Sequence, residues 1–449
     1  MECNIVMIKN MTAMLHKYKS VISWGLANKI ASMGIGFFSV YLINQVFSKS
    51  VYGEMVFFQA IFFYILILVT LGFDKTIIYK VANFTQPRTV LLGGTLLDRF
   101  HSISIVALLL IECVFIIGWA IFSKSGFSNE WFWICLLSIN ALFSLSLTLY
   151  TSFFQANKCP EVALKISLTS TLVKALILFG LVIFRVESMM FFIVYLTLPT
   201  LISVGLLVTE RIKFPTREIS IPVVKSDYVY SCKLMLTKLV HQGVEKIDLL
   251  MIGFFLSTDQ TAEYAVAAKL ALLVRLGNEL VSPLISPRLK YALSLNDKKG
   301  LIKEYCFNKY FSVSVASLIF SIYIIFGEKL LSTFGAYQES YPVLIVLSLS
   351  FINAIAFGPN GRLLMMAGHA NISLYTTLGS LLLLVGSNYV LIPIYGAIGA
   401  AIGTSISLLF INIIIQYCVF IKTDERFNSI FYYLILVLVN ISVFVVIVR

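Results

Sequence analysis

The sequence predicts an all-α polytopic membrane protein, on two observations. Of its 449 residues, 59% are hydrophobic and only 12% charged, about half the charged share of an average soluble domain, and the mean hydropathy is +0.92. Apolar runs of about 20 residues, long enough for a helix to cross a hydrocarbon layer of about 30 Å, recur from end to end. Thirteen such runs lie near 21–47, 52–73, 100–122, 131–156, 162–184, 189–209, 228–256, 262–287, 307–327, 341–366, 371–392, 396–421 and 427–448. A closed β-barrel also satisfies its backbone in lipid, but its strands would read as alternating segments of about ten residues.

Taken in order, the first run contains Lys29, the third Glu112 and the fifth Lys174, while the fourth and sixth carry no charged residue. The seventh and eighth carry most of the intramembrane charge, and the ninth to twelfth return to apolar character. The thirteenth, FNSIFYYLILVLVNISVFVVIV, either crosses the membrane or lies along it. The basic N-terminal stretch before the first run has no small-residue cleavage site, so that run is expected to stay in the mature chain. Seven cysteines are scattered singly and read as reduced packing residues.

The net charge of +12 does not point to nucleic acid, because the cations follow the connections between runs. With the N-terminus on the cytoplasmic side, twenty-one Lys and Arg fall in inside segments, Arg362 among them, and at most five fall outside. This is the positive-inside pattern. Eight basic residues are left within or at the margin of runs and need another reason.

The longest polar connection, at 210–227, divides residues 1–209, with six runs, from 228–421, with six more; 427–448 is extra. Across it the sequence echoes itself. QVFSKSVYGEMVFFQA after the first run matches GFFLSTDQTAEYAVAAKL after the seventh: an apolar run, a serine-containing turn, then a small residue and Glu opening the next helix. Six runs per half make the halves parallel repeats.

Several function classes are excluded by what the sequence lacks. There is no P-loop, dinucleotide fingerprint, HExxH or GxSxG, and no outside connection is long enough for a catalytic domain. The four histidines are far apart and have no metal-ligand spacing. A membrane enzyme of glycan assembly is expected to carry an acidic cluster or a large outside loop. Gly396, Gly399, Ala400 and Gly403 in the twelfth run read as a helix-packing face.

A charge at the centre of a membrane helix costs roughly 2.5–3.5 kcal/mol even on a lenient scale, so such residues face protein or water. In MLTKLVHQGVEKIDLLMIGF, read as one helix, Lys238, His241, Glu245 and Asp248 share one face and Lys246 points elsewhere. Either this stripe lines a wet cavity, or it anchors the helix at the interface. Arg275 and Glu279 are spaced to pair on one turn, with Lys269 turned away from them. Glu112 is the available partner for Lys174 across a helix interface. Basic groups predominate, and a site so lined attracts an anion such as a phosphate or an acidic sugar.

With FSKSVYGEMVFFQA, AEYAVAAKLALL, LMMAGHANISLYTTLGS and LIPIYGAIGAAIGTSIS in order along roughly 20–421, the chain resembles the polysaccharide transporter family. These are the lipid-linked oligosaccharide (O-antigen) flippases of the multidrug/oligosaccharidyl-lipid/polysaccharide exporter superfamily. The resemblance implies two six-helix lobes around a central cavity and alternating access. It implies as substrate an oligosaccharide on undecaprenyl pyrophosphate, moved across the bacterial inner membrane by a non-enzymatic transporter, together with a polymerase and a ligase in the same pathway. It makes Lys29, Lys174, Lys238, Lys269 and Arg275 candidates for holding pyrophosphate or acidic sugars. Glu112, Glu245, Asp248 and Glu279 become candidates for ion coupling, to H+ or Na+, or for structural pairing. No cofactor is expected, and the chain is expected to act as a monomer. The weaker alternatives are an ion-coupled multidrug exporter of the same superfamily and a membrane enzyme of glycan assembly.

Overall fold

The computed structural model describes residues 24–423, apart from 26, 83–90, 123–128, 158, 185–187, 214–215, 218–223, 296 and 368. The thirteenth run and much of the 210–227 connection lie outside the described residues. The chain is an all-α multi-pass membrane protein, and the first twelve runs fall on helices wherever they are described. These are α1 (27–46), α2 (Lys49–Thr70), α3 (Phe73–Ala82), α4 (Gly94–Phe122), α5 (Glu130–Ala156), α6 (Pro160–Phe184) and α7 (Met190–Lys213). There follow α8 (Lys225–Gly243), α9 (Ile247–Phe255), α10 (Thr258–Ala271), a 3-10 turn at Leu272–Arg275, α11 (Leu276–Ser294), α12 (Lys298–Thr333), α13 (Tyr341–Ala356), α14 (Asn360–Met366) and α15 (Ala370–Thr423). Two-residue strands β1 (Leu91–Leu92) and β2 (Thr216–Arg217) pair in parallel. Eight of the described helices are long and apolar enough to cross a membrane. One of these, α15, has 54 residues and carries both the eleventh and twelfth runs, turned at Gly396 with φ 62° and ψ −140°, a conformation accessible to glycine.

The chain divides into two compact units, Met1–Val46 with Phe62–Leu236, and Phe47–Ile61 with Thr237–Arg449. This differs from a boundary at 210–227 for local packing reasons. The first turns of α8 pack on α3, where the Thr76 and Ser231 hydroxyls are 2.6 Å apart and Lys80 pairs with Asp227. The start of α2 packs on α10.

In the first unit α5 is central, in contact with α3, α4, α6 and α7. It buries Trp133, Leu145, Leu149, Phe153 and Phe154. Along α4, Val106, Leu110, Val114, Ile117 and Ile121 are exposed at helical spacing, the apolar outer stripe that a helix presents to hydrocarbon. Arg211 of α7 closes a bidentate pair on Asp98 of α4, at 2.7 and 2.8 Å. The six described cysteines are free, and Cys113, Cys135 and Cys232 are exposed rather than packed inside.

The second unit is organised around α12, 36 residues long. Three of its other runs are interrupted. The seventh breaks at the turn 244–246 between α8 and α9, the eighth at the 3-10 turn, and the tenth between α13 and α14, where Gly358 has φ 85°. A helix interrupted in lipid must satisfy its freed backbone groups internally. Tyrosines of α12 do this at two of the breaks. The Tyr323 hydroxyl donates to the Leu270 carbonyl at 2.7 Å. The Tyr305 hydroxyl lies 2.7 Å from the Phe357 carbonyl and 2.6 Å from Asn360 Oδ1. At the third break the turn bonds to itself, with the Lys246 N–H donating to the Gly243 carbonyl at 3.1 Å. Around Tyr305 the unit's core gathers Ile285 and Leu289 of α11, Leu363 of α14 and Val419 of α15.

The two echoing segments of sequence pack on each other. Lys49 pairs with Glu263 at 2.9 Å, and the Ser50 and Thr258 hydroxyls are 2.9 Å apart. A Cβ on Gly53 would stand 2.0 Å from the Thr258 carbonyl oxygen, and a side chain there must push the two helices apart. Gly53→Ala should therefore lower the melting temperature of the detergent-solubilised protein by several degrees, whereas Gly36→Ala, with open space around it, should not. Equal melting of the two variants would contradict this packing.

Burial raises the pKa of Asp227, but Lys80 and the backbone N–H of Val224 outweigh burial and hold the carboxyl below its ordinary value. A carboxylate lowered on folding stabilises the fold above its unfolded pKa of about 4, and this contribution is lost as pH falls through the lowered folded value. Thermal melts should show that Asp227→Asn is destabilising at pH 7 and that its deficit narrows below about pH 4.

Candidate functional site

The charged residues of the second unit sort into two groups, and the break in the seventh run is what separates them. Lys238, His241, Glu245 and Asp248 do not share one face, because the helix that would align them ends at Gly243. Lys238 is half-buried on α8, His241 and Glu245 are exposed, and Asp248 begins the next helix fully packed. A single helical period was extended across a turn that resets it.

Asp248 is 5% exposed and forms the centre of a buried polar set drawn from α9, α10 and α15. It accepts hydrogen bonds from Tyr264 Oη at 2.8 Å, Asn388 Nδ2 at 2.7 Å and Thr404 Oγ1 at 2.7 Å. Three hydrogen-bonding groups from two other helices thus converge on one buried carboxyl. The Asn388 Oδ1 is buried with no hydrogen-bond partner. Carboxylate, amide and hydroxyl oxygens therefore stand together in a dry site. The glycines of the twelfth run make this approach feasible: a Cβ on Gly403 would lie 2.0 Å from Asn388 Oδ1. Packing alone, the sequence reading of Gly399 and Gly403, understates Gly403. Tyr264, Asn388 and Thr404 were not singled out in the sequence, because uncharged polar residues leave an apolar run unbroken.

The second group gathers where the helices are broken. Arg275, the last residue of the 3-10 turn, lies 3.4 Å from Glu279 Oε1 and 3.9 Å from Glu245 Oε1, and its guanidinium sits 5.6 Å from the Phe351 ring. The i,i+4 pair expected from sequence is present, and Glu245 joins it across the helix interface. Lys246 is close enough to Lys269 and Glu245 for both to act on it electrostatically. Lys269 also lies 5.7 Å from the Tyr52 ring. Arg362, on α14 beyond the break in the tenth run, experiences the charges of Glu279 and Arg275. With Arg362 included, four cations accompany two carboxylates. Its sequence position, near the end of an apolar run, looked like that of any inside cation.

The remaining expected residues belong to the first unit. Lys29 on α1 and Lys174 on α6 are half-buried beside a polar ladder between those helices. In that ladder Asn28 donates to Ser167 at 3.0 Å, and the Ser32 and Thr171 hydroxyls are 3.3 Å apart. Glu112 is buried on α4 with Oε1 lacking a hydrogen-bond partner, so no bond to Lys174 is made through that oxygen. Among the described residues no group of three His, Cys, Asp or Glu is arranged to hold a metal ion.

Comparisons with known proteins accord with this picture. A family model described as "Polysaccharide biosynthesis protein" matches residues 19–286. No curated protein sequence matches the chain. Among solved structures, the lipid II flippase MurJ in an inward closed conformation superposes with a TM-score of 0.68 at 15% identity, covering 95% of this chain and 98% of that one. An inward-facing multidrug resistance MATE family transporter of the MOP superfamily gives 0.63 at 10% identity, covering 91% and 99%. A MOP superfamily transporter from Pyrococcus furiosus, whose binding pocket is described as of reverse polarity, gives 0.55 at 13% identity, covering 91% and 97%. At such identities the likeness concerns the fold.

Replacing Asp248 by Ala strands the buried Tyr264 and Asn388 donors, each costing about 1–3 kcal/mol, while Thr404 keeps the Ala400 carbonyl at 3.0 Å as acceptor. Asp248→Ala should melt well below the parent protein, and Asp248→Asn, which keeps the shape and one acceptor, should fall between them. Parent-like melting of the alanine variant would contradict the buried arrangement.

Proposed function

The chain belongs to the polysaccharide biosynthesis protein family, has the fold of MOP-superfamily transporters, and we propose that it is a lipid-linked oligosaccharide flippase. It moves an undecaprenyl-pyrophosphate-linked repeat unit, of O-antigen or a related surface polysaccharide, from the cytoplasmic to the periplasmic leaflet of the bacterial inner membrane. The N-terminus is cytoplasmic. The observation that carries this reading is the excess of cations at the broken helices of the second unit, Lys246, Lys269 and Arg275, in a chain of this family. A cationic drug would prefer an acidic site, so the charge favours the flippase over a multidrug exporter. A flippase also needs no bond-breaking centre.

The steps follow from charge and solvation. The pyrophosphate linkage is drawn to the basic residues of the second unit, with Lys238 as a further contact there; Lys29 and Lys174 of the first unit are candidates by their charge alone. The lipid tail stays in hydrocarbon while alternating access transfers the sugar, since only the headgroup is costly to bury. A ligand drives such a change only by binding the two states differently, and the Asp248 set is suited to that task. One carboxylate, two hydroxyls that can turn their lone pairs inward, and the unpartnered Asn388 oxygen accommodate a proton or a sodium ion. Glu112, Glu245 and Glu279 either contribute to coupling or serve as fixed counter-charges. A polymerase and a ligase then consume the product outside, and the chain acts as a monomer.

Deletion of the gene should abolish the surface polysaccharide and leave lipid-linked repeat units accumulating on the cytoplasmic side. Lys238→Ala and Arg275→Ala should each reduce surface glycan while the protein still inserts. Unchanged glycan and precursors in the deletion strain would overturn the proposal.

A further inference from the structure

Three arginines of the chain are held in three different ways, and the contrast exposes a residue that charge counting placed among the inside segments. In the first unit Arg211 holds Asp98 through two short parallel bonds of 2.7 and 2.8 Å, the geometry of a permanent structural pair. Arg275 has instead two distant carboxylates, at 3.4 and 3.9 Å, both beyond the 2.7–2.9 Å typical of a tight charge-assisted bond. Arg362 is in a further state. Its Nη1 is buried and has no hydrogen-bond partner, although a guanidinium carries five donors and cannot relieve the deficit by losing its proton.

Such an orphan in a folded protein calls for a ligand, and its surroundings say which kind. Glu279 attracts Arg362 and Arg275 repels it, while α11, which carries Glu279, packs on α14, which carries Arg362; both arginines therefore lie in the field of one carboxylate. Both stand next to helix interruptions, Arg275 at the end of the 3-10 turn and Arg362 two residues into α14. Breaks of this kind mark substrate sites in transporters because backbone and side-chain groups freed from the helix point at the ligand. The placement of Arg362 is fixed: Asn360 on the same short helix is held by Tyr305 and by the Phe357 carbonyl at 2.8 Å.

From this geometry, and resting on the flippase reading above, the structure assigns Arg362 as a second prong, with Arg275, of a clamp for a phosphate-class oxyanion. Glu279 occupies the clamp as an internal stand-in anion when no ligand is bound. The arriving diphosphate displaces the Glu279 carboxylate from Arg275, completes the bonds of Arg275 and satisfies the orphaned Nη1 of Arg362. No covalent bond changes. The arrangement also accounts for the presence of acids in a site meant for an anion: they keep two arginines from repelling each other in the unloaded protein.

The test uses the purified full-length protein in detergent and two probes, inorganic pyrophosphate and farnesyl diphosphate, with affinity read by calorimetry. The parent should bind the probes. Arg362→Gln should weaken binding by about ten- to a hundredfold, the worth of a charge-assisted bond, and Arg362→Lys by less. Glu279→Gln should tighten binding, a gain that faulty folding does not produce. Preference for farnesyl diphosphate identifies a lipid-linked ligand, and equal binding of the two probes identifies the diphosphate group alone as what is recognised; either supports the clamp. Parent-like affinity in Arg362→Gln, weaker binding in Glu279→Gln, or no binding of either probe by the parent overturns it. Those outcomes leave the flippase reading to the leaflet phenotype of the deletion strain. Conversely, a clamp that behaves as described beside an unaltered surface glycan removes the flippase reading and keeps the oxyanion site.

Discussion

A helix broken inside a membrane survives only if its freed backbone groups find partners within the protein, and the second unit depends on how it meets that demand. Tyr305 and Tyr323 sit on one unbroken 36-residue helix and reach the carbonyls of Phe357 and Leu270. An unpaired carbonyl in an apolar environment costs on the order of several kcal/mol, and these hydroxyls, together with the Asn360 amide on the Phe357 carbonyl, stabilise the interruptions. The interruptions in turn allow charged residues to leave the regular helical surface. Arg275 and Arg362 follow directly from the two capped breaks, and Glu245 and Asp248 from the turn that ends α8.

Electrostatics then divides these charges by task. Asp248, buried against Tyr264, Asn388 and Thr404, ties α9, α10 and α15 together. The Arg275 group is loosely paired and net positive. Tight pairs such as Arg211 with Asp98 fasten helices through two parallel bonds. Long, shared contacts are cheap to exchange, which is what a site that must release its cargo requires. The charges proposed to handle substrate are thus the loosely paired ones.

Much of the fold was legible in the sequence, because hydropathy over about 20 residues reports burial in lipid directly. The echo around Gly53 and Ala262 was legible too, and the structure gives it a meaning that the sequence did not: the two copies touch. The breaks were hidden, since a turn at 244–246 or 357–359 leaves the average hydropathy of its run unchanged. That concealment explains the errors at the site. Asp248 was aligned with Lys238 by carrying a 3.6-residue period through a turn, and Arg362 was assigned to the inside connections because a cation near the end of a run looks the same whether it snorkels or turns inward. Asn388 and Thr404 gave no signal, being polar without charge. Gly358 followed by Pro359 was the one visible clue to a break, and it lies three residues before Arg362.

The central claim is that the charge on the lipid linkage is what the protein recognises and carries. It is tested most directly by reconstituting the purified chain into liposomes with fluorescent glycolipids that differ only in that linkage, and measuring the appearance of probe in the opposite leaflet. Protein-dependent transfer of the pyrophosphate-linked glycan, with little transfer of a neutral-linked counterpart, is the predicted result. Equal transfer of both would contradict the account.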